Sequence, residues 1–173
     1  MNRLDRMSGL RGGAVYRAAN VTPTTVQSWP IEIGTKVGEG HKRYNFGDVI
    51  SLSLMRELVF TIGVKASHAA AVVNGLRDRV GEEVAVLLAE QAERGSWRWD
   101  GGPYAVVQHS RRGRGDDWLH IFDDKQLAEF GSDQSSGFII TVIPLPRLIN
   151  ASQLALENAL GAGGAFVSEE SEQ

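Results

Sequence analysis

Two prolines near the N-terminus, Pro23 and Pro30, constrain this chain more than any other feature of its sequence. Thr22 supplies a hydroxyl N-cap immediately before Pro23, and proline is favoured at the first position of a helix. Pro30 disfavours helical geometry in Trp29, so the helix that begins at Pro23 is predicted to end there. Another short helix is predicted before it, over Gly12–Asn20, and a tight turn around Asn20 and Val21 joins the two helices.

The helix after Thr22 is predicted to have two different faces. Val26 and Trp29 are three residues apart and can share one face. Small polar side chains occupy the other positions, namely Thr24, Thr25, Gln27 and Ser28. A short helix with these side chains presents hydrogen-bonding groups to its surroundings.

A glycine-containing segment follows, PIEIGTKVGEGHKRYN over residues 30–45. Its alternating apolar residues and three glycines predict a short β-hairpin or wing. The hairpin carries a basic cluster of His41, Lys42 and Arg43. A third helix is indicated with Asp48 near its start and its end near Gly63, and a fourth from about Ser67 to about Arg94.

The pattern changes after Gly95 to short runs rich in β-branched and aromatic residues, which favour strands. The predicted strands are Tyr104–His109, Trp118–Phe122 and Phe138–Ile143. Asp123 or Asp124 is expected to cap a short helix that ends at Phe130. After Pro144 and Pro146, a last helix is expected over Leu148–Leu160.

These elements predict a mainly α fold with a small α+β part. The expected domains are a winged helix-turn-helix over residues 1–76, a helical linker over 77–95, a small α+β domain for dimerisation or effector binding over 96–160, and a disordered acidic tail over 161–173.

The charge of the chain is unevenly divided, although its net value is only −3. Residues 1–65 contain nine basic and five acidic residues, for +4, and residues 66–173 contain nine and sixteen, for −7. Such asymmetry suggests that the N-terminal part binds a polyanion, and nucleic acid is the first candidate. The alternative is that a small positive excess on solvated side chains has no functional meaning.

Three stretches of this region resemble the MerR family of transcriptional regulators: GAVYRAANVTPTTVQSW, GHKRYNFGDVISLSLMREL and IGVKASHAA. The resemblance covers about residues 11–76 and implies a winged helix-turn-helix and a homodimer. It places Thr25 and Gln27 where the family's recognition helix has Thr and usually Arg. Lys42 falls at the position of the wing Arg, and Tyr44 at the aromatic residue that closes the wing. The segment between Trp29 and Tyr44 is shorter than in typical members.

The expected contacts divide into two groups, because polar side chains on a recognition helix contact base edges while basic residues on adjacent loops bind phosphates. Base contacts are expected from Thr24, Thr25, Gln27 and Ser28. Backbone contacts are expected from Arg17, Lys42 and Arg43, and a phosphate or minor-groove contact from His41. The resemblance adds Tyr44.

Several kinds of chemistry lack a basis in the sequence. The chain contains no Cys, which excludes thiolate metal sites and a cysteine nucleophile. No nucleophile elbow, P-loop or dinucleotide motif is present, so neither catalysis nor a cofactor is expected. His109 and His120 lie near several aspartates, but their spacing matches no metal-binding motif. No apolar stretch approaches the ~20 residues needed to cross a membrane.

The sequence therefore predicts a sequence-specific transcriptional regulator that binds double-stranded DNA as a homodimer on an inverted repeat. It would act in the cytoplasm at the nucleoid, with RNA polymerase as a further candidate partner. One alternative is an excisionase-like or architectural protein that bends DNA. Another is a protein-interaction or small-ligand module on a helix-turn-helix scaffold, since a fold does not determine a function.

Overall fold

The structure is a computed structural model that describes residues 9–38, 40–77, 102–110, 118–132 and 138–165. Among these residues the protein is mainly helical, with two small antiparallel sheets, as the sequence predicts. They group into two compact units. The first unit contains the residues up to Arg77 together with those from Asn150 onward, and the second contains the residues between them.

The first unit contains most of the helices. Its elements are α1 (Gly12–Ala18), α2 (Pro23–Ser28), β1 (Thr35–Val37), β2 (His41–Arg43), α3 (Phe46–Arg56), a π-helical turn (Glu57–Thr61) and α4 (residues 66–77). Beyond Arg77, the predicted fourth helix and the linker over 77–95 lie outside the described residues.

The two short helices at the start of the chain confirm the prediction made from the prolines. The side chain of Thr22 accepts a hydrogen bond from the backbone N of Thr25 at 3.1 Å, and Pro23 occupies the first turn of α2. Trp29 is extended, with a ψ angle of 133°, as expected of a residue before proline. Asn20 adopts a left-handed conformation with φ 53°, which makes the tight turn between α1 and α2.

Helix α3 begins at Phe46, so Asp48 lies near its start, as the sequence predicts. Asn45 is the N-cap, and its side chain accepts a hydrogen bond from the backbone N of Asp48 at 3.0 Å. The Asp48 carboxylate accepts one in return from the backbone N of Asn45 at 2.9 Å. Asp48 is therefore the N3 residue of a capping box, three positions after the N-cap.

The core of the first unit is centred on α3. This helix is buried around most of its circumference, and a helix of that kind lies inside a domain rather than on its surface. The completely buried side chains contributed by α1, α3 and the π-helical turn are Val15, Val49, Ile50, Leu52, Leu54, Met55 and Leu58. Helix α4 adds Ala69 and Leu76, and the C-terminal helix adds Leu156.

The second unit contains a three-stranded antiparallel sheet in the order β4–β3–β5. Its elements are β3 (Tyr104–Ser110), β4 (Trp118–Phe122), α5 (Asp124–Ser132), β5 (Phe138–Pro144) and the start of α6 (Leu145–Ala165). All three predicted strands are confirmed to within one residue. Asp123 accepts a hydrogen bond from the backbone N of Gln126 at 2.7 Å, which confirms it as the cap of α5.

The last helix differs from its prediction at both ends. It begins at Leu145, which puts Pro146 in the first turn. Proline is tolerated there, because the N–H that it lacks would have had no helical partner. It continues to Ala165, so residues 161–165 are helical and not disordered, while 166–173 lie outside the described residues.

Residues 150–160, expected in the C-terminal domain, belong to the first unit. There, the Ser152 hydroxyl donates a hydrogen bond to that of Ser53 at 3.2 Å.

Candidate functional site

Helix α2 presents polar side chains on the surface of the first unit. Val26 and Trp29 are buried, so the opposite side of this short helix faces outward. Thr24 and Gln27 are exposed, and their side chains make no hydrogen bond to any described residue. These two side chains have free hydrogen-bonding groups that can bind another molecule.

The other two predicted residues on α2 are engaged in local hydrogen bonds. The hydroxyl of Thr25 lies 2.8 Å from that of Thr22, within the N-cap of the helix. The Ser28 hydroxyl donates to the backbone carbonyl of Thr25 at 2.7 Å. A base contact from either residue would share a hydroxyl that already stabilises the helix.

The predicted wing is a hairpin of strands β1 and β2. Its register pairs Thr35 with Arg43, Lys36 with Lys42 and Val37 with His41. Because side chains alternate between the faces of a strand, Lys36 and Lys42 share one face, while His41 and Arg43 share the other. Like charges placed directly opposite each other are unfavourable in a sheet, and a bound anion would offset that cost.

Lys42 also has a partner within the protein. Its Nζ donates a hydrogen bond to the backbone carbonyl of Ile33 at 3.3 Å, which holds the side chain against the base of the hairpin. An ammonium group has three donors, so two remain for a ligand. Lys36, directly across from Lys42, was not among the predicted site residues.

Strand β2 borders an open depression of about 460 Å³ at the start of α1. Its lining residues are Arg11, Gly12, His41, Lys42 and Arg43, and no described carboxylate lines it. Sequence reasoning missed Arg11, because its place beside the hairpin depends on a pairing between residues that are far apart in the chain. Leu10 and Tyr44 make that pairing, with N–O distances of 2.8 and 3.1 Å.

Asp48 holds the hairpin to the helices behind it. Its side chain is 2% exposed, and Oδ1 accepts a hydrogen bond from the backbone N of Gly34 at 3.0 Å. The guanidinium of Arg77 lies 3.5 Å from the same oxygen and also donates to the carbonyl of Glu32. One buried carboxylate therefore ties together the start of α3, the base of the hairpin and α4.

Tyr44 has a structural position at the end of the hairpin. Only 7% of the residue is exposed, and its hydroxyl lies 2.7 Å from that of Tyr16, with the two rings edge to face. Burial, followed by the hydrogen bond to Tyr16, raises the pKa of Tyr44 above its ordinary value. Of the predicted contact residues it is the least accessible, and it positions the basic residues beside it.

Arg17 is exposed on α1 and is linked to the C-terminal helix. Its Nη2 donates a hydrogen bond to the backbone carbonyl of Ala159 on α6 at 3.2 Å. A guanidinium has five donors, so most of the group can still bind an anion. No local sequence pattern indicates this contact, which joins residues that are 142 positions apart.

Other kinds of site find no support in the described part of the chain. No group of three or more His, Asp or Glu side chains within it could hold a metal ion. His120 stacks on Phe122 with ring centroids 5.3 Å apart, whereas the side chain of His109 and the loop over 111–117 are outside the description. None of the described helices is long and apolar enough to cross a membrane.

Comparison with known proteins adds no relative. No protein-family model matches the chain, and no curated protein matches it.

Proposed function

We propose that the first unit is a winged helix-turn-helix and that the protein is a sequence-specific transcriptional regulator of double-stranded DNA. The single observation that carries the proposal is the position of α2, whose free Thr24 and Gln27 side chains project from the same unit as a basic hairpin. The resemblance of residues 11–76 to the MerR family supports the same function.

Helix α2 would supply the sequence discrimination. An amide such as that of Gln27 can bond adenine through both its oxygen and its nitrogen, and a threonine such as Thr24 can contact a thymine methyl or a base edge. Side chains without an internal partner lose nothing within the protein when they form these bonds. Thr25 and Ser28 would mainly hold the helix in shape.

The hairpin and α1 would supply the affinity that does not depend on sequence. Phosphate contacts position a protein on the duplex, and each one releases counterions and makes binding sensitive to salt. Lys42 and Arg43 on the hairpin and Arg17 on α1 are the exposed cations suited to this role. Lys36 joins them, since it stands beside Lys42 on one face.

The complete proposal includes a homodimer that binds an inverted repeat. Two-fold protein symmetry requires two-fold symmetry in the DNA site, with half-sites one helical turn or a multiple of it apart. RNA polymerase is a further proposed partner, and the nucleoid is the proposed location. DNA bending remains the alternative function, which the same experiment would distinguish.

The test is selection from a randomised duplex library by the purified protein at near-physiological salt, followed by sequencing. Enrichment of an inverted repeat is the expected result. Weak retention of all sequences that disappears with added salt would favour an architectural role. Failure to retain any duplex would refute the proposal.

Two substitutions separate base readout from phosphate binding on the selected site. Gln27→Ala should reduce discrimination between the selected site and a single-base variant by about 1–3 kcal/mol. Lys42→Ala should weaken binding to every sequence and lower the slope of log affinity against log salt by about 0.9. Asn158→Ala, which removes an exposed amide from α6, is the control and should change neither quantity.

A further inference from the structure

We propose that the depression between α1 and β2 is a phosphate-binding site for the DNA backbone, in which Arg11 acts together with Arg43 and His41. The inference rests on the proposed function and adds a residue and a defined ligand group to it. The ligand is one phosphodiester of a duplex bound by the first unit.

The register of the chain places Arg11 and Arg43 side by side. Leu10 and Tyr44 form an antiparallel bridge through two backbone hydrogen bonds. In antiparallel pairing, the residue after Leu10 lies opposite the residue before Tyr44, which brings the two arginines together. The guanidinium of Arg43 is steadied by a hydrogen bond from Nη1 to the carbonyl of Gly9 at 3.3 Å.

His41 lies two residues before Arg43 on the same face of β2, so it extends this row of basic side chains. The side chains of Arg11 and His41 make no hydrogen bond to any described residue. Arg11 and Arg43 both line the depression, and none of the described carboxylates lines it, so their positive charges have no counter-charge there. A phosphate group would supply one, because its oxygens accept hydrogen bonds from guanidinium groups.

The arrangement is also well anchored. Tyr44 is buried and hydrogen-bonded to Tyr16 of α1, which fixes the end of β2 against the helix that follows Arg11. The backbone that carries the basic groups is therefore fixed before DNA binds. Preorganisation of this kind reduces the entropy lost on binding.

The experiment measures DNA affinity against salt concentration by fluorescence anisotropy, with the duplex obtained by selection. The variants are Arg11→Gln and Arg11→Lys, and Arg147→Gln removes an exposed arginine from α6 as a matched control. Because Arg11 is exposed and has no described hydrogen bond, its variants should keep the wild-type melting temperature.

If Arg11 neutralises one phosphate, Arg11→Gln lowers the slope of log affinity against log salt by about 0.9. The ratio of wild-type to variant affinity should therefore be about 3.5-fold larger at 50 mM salt than at 200 mM salt. Arg11→Lys keeps the charge and should restore most of the slope. Arg147→Gln should behave as the wild type.

A scan with single uncharged methylphosphonate linkages then identifies the phosphate. On a duplex in which the contacted phosphate is replaced by the uncharged linkage, Arg11→Gln should bind as tightly as the wild type. Arg43→Gln should do the same, and at the same linkage. If the wild type binds the duplex and Arg11→Gln has the wild-type affinity and slope, the phosphate site is wrong while the proposed function stands. If the wild type binds no duplex, both are wrong.

Discussion

Gly34 offers the most direct test of how the hairpin is attached to the first unit. It has a φ of 69°, and a Cβ added there would lie 2.7 Å from Cε1 of Tyr44 and 3.1 Å from the carbonyl oxygen of Arg43. The ring cannot easily move aside, because Tyr44 is buried and its hydroxyl is bonded to Tyr16. Gly34→Ala should therefore combine backbone strain with a steric clash.

Gly38 separates these two costs. It has a similar φ of 64°, but an added Cβ would meet nothing within 4 Å. An alanine in the left-handed region costs about 1–2 kcal/mol, so Gly38→Ala should lose about that much stability. Overpacking adds about 1–3 kcal/mol, which brings the expected loss for Gly34→Ala to about 2–5 kcal/mol.

Urea denaturation measures both free energies of unfolding. For a chain of this size each kcal/mol lowers the melting temperature by about 2–4 °C, so the two variants should differ by several degrees. In a Tyr44→Leu background the smaller side chain relieves the clash with the ring, so Gly34→Ala should then cost less than it does in the wild-type background, while the Arg43 carbonyl still crowds the added Cβ. Equal losses for Gly34→Ala and Gly38→Ala in the wild-type background would refute the claim that the ring is fixed.

Two further predictions concern the groups around this hairpin. Asp48→Ala removes the acceptor of two backbone hydrogen bonds and the carboxylate partner of Arg77, and it should cost about 3 kcal/mol in urea denaturation. Asn45→Ala removes only the reciprocal cap and should cost about 1 kcal/mol, so equal losses would contradict the role of Asp48 at the hairpin. Since the pKa of Tyr44 is higher in the folded state than in the unfolded state, its contribution to stability is complete below pH 10 and decreases as the pH rises further. Thermal melts above pH 10 should therefore show a smaller alkaline loss for Tyr44→Phe than for the wild type, and identical losses would count against the raised pKa.

The local elements could be predicted because their signals lie within a few residues of one another. Thr22, Pro23 and Pro30 determine α2 through capping and steric effects that need no distant partner. The three strands of the second unit follow from β-branched and aromatic runs of the appropriate length. The start of α6 was misplaced because a proline in a first turn is compatible with a helix that begins before it.

The site itself was only partly predictable, because its geometry depends on pairing across the chain. The basic residues of the hairpin were visible as a cluster, but their division between two faces depends on the register of β1 and β2. Arg11 joins the site only through the bridge between Leu10 and Tyr44. The sequence identifies Asp48 as a signal for the start of a helix. Its hydrogen bond from the backbone N of Gly34 could not be predicted, because a turn and a strand pair separate the two residues in the chain.

The contact between Arg17 and Ala159 connects the proposed DNA-binding surface to the C-terminal helix. Residues of α6 from Asn150 onward belong to the first unit, and buried Leu156 contributes to its core. The helix is therefore part of the fold that supports α1 rather than an appendage to it. Arg17 uses one donor for the Ala159 carbonyl and keeps the others, so a phosphate can bind while the contact persists. In this arrangement the orientation of the Arg17 side chain, which we propose binds phosphate, depends on the position of the α6 backbone at Ala159.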